Sequence, residues 1–199
     1  MLDVGCFSRT LDHVGDHFKI PNLDEFSRLW ISLFARSFRT RMEWNELTGR
    51  AMSLYSDTQW WSRWVVLHQF LLQFGDVVPF LDAHAELSPT TREKLLQMLS
   101  DRQRSACLWK DLAAVVDMGE YFVKATYRLE GDGPLVFSCF EVLTALTAAM
   151  QTACYPNLKA VAKALASGSP MIEQQLIVLA RLNTSFTIVY QLLLNNRRP

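Results

Sequence analysis

His13 and His17 are spaced i, i+4, which puts both imidazoles on one helical face, with Asp12, Asp16 and Cys6 near them in sequence. Such a pair holds zinc when a third ligand arrives from elsewhere. The zinc-protease pattern needs Glu directly after the first histidine, and Val14 stands there. A structural or surface role is the simpler reading, so no metal site is assigned. His68 and His84 stand alone. The paired carboxylates Asp12/Asp16, Asp24/Glu25 and Glu43/Glu46 occupy places where solvated helix faces carry acids, not apolar surroundings that would raise a carboxyl pKa. The chain has no GxSxG, GxxxxGK[ST] or GxGxxG string, and Gly131-Asp132-Gly133 reads as a turn between helices. No catalytic residue and no cofactor are expected.

Two clusters suit nucleic acid better than catalysis. Arg36, Arg39 and Arg41, interleaved with Phe38, are the most basic local stretch, and guanidinium groups beside an aromatic hold phosphates and stack on bases. The plainer reading is a helix C-terminus whose cations complement the dipole. Trp60 and Trp64 share a helical face, with Trp61 beside Trp64. Most such clusters anchor a core; a tryptophan just after Thr58-Gln59 can instead stand at a surface and stack on an unpaired base.

The elements that must carry these residues read as helices. After Asn22, Phe26, Leu29, Trp30, Leu33 and Phe34 recur at helical spacing. Trp60 to Phe74 is dense in large apolar groups and closes on Gly75 as a helix closes on a C′ glycine. Ser88-Pro89 is an N-cap with proline at the first helical position. Asp101 to Arg128 should be one long helix, bent near Gly119. Pro134 starts another, Cys154-Tyr155-Pro156-Asn157 breaks it, a further helix runs to Leu165, and Met171 to Leu194 forms the last. Only 51–56 alternates like a strand, and a lone strand lacks ladder partners. The expected class is all-α, a multi-helix array with at most one short strand near 51–56.

Composition narrows the classes further. Of 199 residues, 50% are hydrophobic, which excludes a disordered chain. Lys+Arg and Asp+Glu both number 20, so the basic excess usual for chains that wrap nucleic acid is missing. Cys6, Cys107, Cys139 and Cys154 are widely spaced and read as reduced thiols. With no basic-then-apolar leader, the expectation is a nuclear or cytoplasmic protein. The apolar stretch Leu135 to Cys154 contains Glu141 and Gln151 and reads as a buried helix, not a membrane span.

The strings CFSRTLDHVGDHF, YSDTQWWSRW, KATYRLEGDGPL and YPNLKAVAKAL, in that order, resemble transposases of the hobo/Activator/Tam (hAT) superfamily and proteins derived from them. Such enzymes interrupt an RNase H-like core with a large all-helical insertion domain. The resemblance implies a core remnant over 1–57 and the insertion domain over 58–199. Of the family's Cys-or-Asp-x-x-His motif, Cys6 matches and Arg9 replaces the histidine; of its Arg-Trp pair, Trp60 matches and Gln59 replaces the arginine, with a second pair at Arg63-Trp64. The family's three metal-binding acids fall before the cysteine motif and after the insertion domain, so none is expected within this chain, and no strand cleavage either.

The functional expectation is therefore a catalytically inactive hAT-derived fragment with weak residual DNA association through Trp60, Arg36, Arg39 and Arg41. The alternative is a helical protein-protein interaction module that uses exposed apolar helix faces. Neither version involves a membrane or a small-molecule substrate.

Overall fold

The computed structural model describes residue 11 and residues 20–35, 37–53, 60–129, 135–152 and 154–183. Among them there is no strand; nine α-helices carry the chain. Helix α1 (Pro21–Ala35) begins at Pro21, whose missing N–H costs nothing in a first turn, and turns Leu23, Phe26, Trp30, Leu33 and Phe34 inward. Helix α2 (Phe38–Thr48) is capped at both ends: Ser37 Oγ accepts from Thr40 N at 3.1 Å, and Gly49, at φ 68°, donates to Asn45 O at 2.8 Å. Over 51–53 the backbone is irregular, and Ser53 N donates to the Gln69 side chain rather than to a neighbouring strand. Residues 54–56 lie outside the described set.

Helix α3 (Trp60–Leu72) ends earlier than expected. Gly75 is not a left-handed cap: it lies inside a 3₁₀ turn, Phe74–Asp76, that runs directly into α4 (Val77–Ala83). Helix α5 (Pro89–Ser100) has Pro89 at its start as expected, but Ser88 Oγ sits against Thr91 Oγ1 and caps no N–H. Helix α6 (Arg102–Leu129) is one continuous α-helix through Gly119, capped by Asp101, whose carboxylate accepts from Gln103 N and Arg104 N. Its 28 residues span about 42 Å at the standard rise. Helices α7 (Leu135–Gln151), α8 (Pro156–Leu165) and α9 (Pro170–Asn183) complete the array.

Two hydrophobic clusters meet along α6. One is aromatic: Phe26, Trp30, Phe34, Trp44, Phe70 and Phe80 gather around Trp30, with ring centroids 5.0 Å apart for Trp30–Trp44 and 4.7 Å for Phe26–Phe70. Residues on both sides of position 57 therefore share one packed core. Helix α6 closes it with Leu108, Leu112, Val115 and Val116. The other cluster uses Ala113, Ala114, Met118, Phe122 and Val123 of the same helix against Val142, Leu146, Leu158 and Ile177. A 28-residue helix with apolar groups on more than one face is what a shared central element requires.

Candidate functional site

Of the residues singled out for DNA, only Arg39 and Arg41 have described side chains; Cys6, Arg9, Arg36 and Gln59 lie outside the described residues, as does the side chain of Trp60. The pair His13/His17 lies outside them too. For Arg39 and Arg41 the basic stretch is a helix start, not the helix C-terminus expected. Helix α1 stops at Ala35, Ser37 caps α2, and Arg39 and Arg41 fall in the first turn of α2. Cations there oppose the helix dipole. The local acids compensate: Arg39 Nε donates to Glu43 Oε1 at 2.7 Å, one turn on, and that bond pushes the guanidinium pKa up. The Arg41 guanidinium lies over the Phe38 ring, 6.0 Å from its centroid, while its Nε is buried without an acceptor. Phe38 itself is exposed.

His84 is not alone in space. Its Nδ1 lies 2.9 Å from Phe80 O, so that nitrogen donates and Nε2 is left to face Glu43 Oε2 at 3.4 Å. With Glu86 these groups bring three ligand atoms within 4.8 Å of one another, the one such trio among the described residues. They could grip a cation. However, Glu43 already shares an oxygen with Arg39, which places a competing positive charge at the same spot. His68 stacks on Trp64, ring centroids 5.0 Å apart.

The second Arg-Trp pair is used inside the protein. Arg63 of α3 pairs with Asp24 of α1, and Trp64 Nε1 donates to Val116 O at 2.9 Å. Trp64 thus anchors α3 on α6 as most tryptophan clusters do.

Two carboxyls outside the pairs singled out in the sequence, Asp111 and Asp117, are buried. Asp117 lies in α6 between Val116 and Met118, and its carboxylate accepts from Leu158 N at 2.8 Å and from Asn157 N and Nδ2 at 3.2 and 2.7 Å. These are the first-turn donors of α8. Tyr155, the residue at the N-cap position of that helix, is in the left-handed region at φ 44°, and its side chain makes no cap hydrogen bond. Burial pushes the Asp117 carboxyl up, against the pull of those hydrogen bonds. Asp111 is also pushed up by burial, opposed by Lys110, whose Nζ is 3.4 Å from Asp111 Oδ1. A single acid inside the apolar run AAVVDMG was the available signal for Asp117.

Exposed large apolar groups occur on several helices, with Phe140 of α7 and Phe38 of α2 as open as any on α9. On α9, Met171, Val178 and Leu179 share an outer face with Gln174 and Gln175, and no charged side chain lines it among the described residues. No described helix is long and apolar enough alone to cross a membrane; the bent pair Ser62–Leu72 and Phe74–Ala83 passes by composition, but Val66, Leu67, Phe70, Val77, Phe80 and Leu81 of it are buried in protein. No protein-family model, curated protein or solved structure matches the chain.

Proposed function

We propose that this chain is a helical binding module that seats an amphipathic helix of a partner protein, and that its role is binding rather than catalysis. The observation that carries the reading is the outer face of α9, where Met171 is 70% and Leu179 51% exposed beside Val178, at positions that line one side of a helix. A neutral, apolar stripe of that kind is what a helix-in-groove contact uses. The hAT resemblance gives the origin in this proposal: an insertion-domain scaffold retained without strand cleavage, in agreement with the all-helical architecture. Residual DNA association has less support, because Arg39 is held by Glu43, Arg63 by Asp24 and Arg104 lies within ionic reach of Glu25.

The test is a photo-cross-linking amino acid placed at 178 in one variant and at 39 in another. A discrete protein adduct from 178, reproduced with the purified partner and lost in a V178E/L179E background carrying the probe at 175, is the expected outcome. DNA adducts from 39 with no discrete adduct from 178 would reverse the order of the two readings.

A further inference from the structure

A cavity of about 680 Å³ opens where the first turns of α6 face the end of α5 and the corner between α8 and α9. That volume suits a small ligand. Trp109, Leu165 and Leu176 supply apolar wall, Cys107 adds a thiol, and the charged residues of the lining are Arg102 and Lys110, with no acid among them. In a chain whose charges balance overall, this is a local positive excess inside an apolar recess.

Lys110 is the unusual group. Its side chain is 7% exposed, yet the described partner of its ammonium is Asp111 at 3.4 Å, a distance too long for a strong hydrogen bond. Asp111 Oδ1 is correspondingly buried without a hydrogen bond. An ammonium offers three donors, and here one loose ionic contact faces them. Such a pair offsets little of the cost of taking both charges out of water. An acceptor entering from the cavity would improve that geometry. Arg102 and Lys110 against Asp111 leave one net positive charge, which matches a single anionic head group.

We propose that this cavity binds an amphipathic monoanion, an alkyl carboxylate of medium chain length, with its carboxylate on Lys110 and Arg102 and its chain against Trp109, Leu165 and Leu176. The site is independent of the partner-binding face, since Met171, Val178 and Leu179 do not line it.

The experiment is calorimetric titration of the full chain with decanoate, and with decanol as the uncharged probe of the same length. Saturable one-to-one decanoate binding is expected, with decanol weaker by at least about tenfold, the equivalent of one charge-assisted hydrogen bond. Arg102→Met, near the helix start, and the double variant K110M/D111N, which removes both members of the buried pair, should each weaken decanoate and leave decanol unchanged. Bromobimane labelling followed by mass spectrometry gives a positional readout that needs no variant: decanoate should slow modification of Cys107 and leave exposed Cys154 unaffected. Equal affinity for decanol, no saturation below the micelle concentration, or equal protection of both thiols would overturn the proposal.

Discussion

Asp117 caps a helix to which it does not belong, and Asp117→Ala should show what that is worth. The substitution strips the first turn of α8 of the acceptor for Asn157 N and Leu158 N, and strands the Asn157 amide as well. Losing a helix cap costs about 1–2 kcal/mol. Leaving a buried donor unmade costs about 1–3 kcal/mol more. Against this, the carboxylate's own burial is unfavourable, as its raised pKa records, and the variant escapes that penalty. The net expectation is a loss of about 2–4 kcal/mol, which for a chain of this size lowers Tm by about 6–12 °C. Asp117→Asn keeps one acceptor and places an amide N–H against a backbone N–H, so its loss should be smaller, about 1–2 kcal/mol. Thermal melting by circular dichroism measures both. Hydrogen exchange adds the location, because protection over 156–165 should fall before protection over 21–35. A Tm for Asp117→Ala within about 2 °C of the parent chain would refute the capping argument. So would an Asn variant less stable than the Ala variant.

The remaining predictions concern pH and the core. Asp111 and Asp117 both have folded-state pKa values raised above the ordinary 3.8, so the folded chain binds protons more readily than the unfolded chain in the window just above it. Their contribution is fully present below the unfolded value and is lost as pH rises through the folded one. Urea midpoints taken across that window should show these two sites favouring the fold more as pH falls, and Asp117→Asn should make the profile shallower on the acidic side. Trp30→Ala removes the hub of the aromatic cluster, which touches Phe26, Phe34, Trp44, Phe70 and Phe80. Its cost should be about 3–5 kcal/mol, read as a drop in the urea midpoint with an unchanged slope.

The helical class was legible because burial imposes a period on the sequence. Phe26, Trp30, Leu33 and Phe34 recur as one inward face, and the long α6 run carries no residue that stops a helix. What was not legible depends on which local signal prevails or on residues far apart in the chain. The stretch around Arg36 reads as a helix end because the apolar period of α1 runs into it; Ser37 opens a new helix, and Arg39 and Arg41 fall in its first turn. Gly75 can close a helix or sit in a 3₁₀ turn, and the adjoining Asp76 and Val77 continue the helical path at once. His84 and Glu43 approach only because α2 and the turn after α4 pack beside each other. Asp117 reads as a flaw in an apolar seam until α8 is placed against it. Its chemistry belongs to the partner helix, and local spacing carries no record of that.

The position of α6 between the two clusters has a consequence for how the chain emerges during synthesis. The aromatic half, from Ile20 onward, closes only when Leu108 to Val116 are available, so the chain must have left the ribosome as far as Val116 before the first core is complete. The rest of the same helix, to Leu129, follows, and its other side meets Leu11, Trp64 and Leu71 from the earlier chain but still lacks its partners from α7, α8 and α9. If the chain folds from its N-terminus as it is made, that side is where α7, α8 and α9 dock in turn, the Asp117 carboxylate accepting from the first turn of α8. The two halves are therefore joined in time as well as in space: the element that finishes the first starts the second.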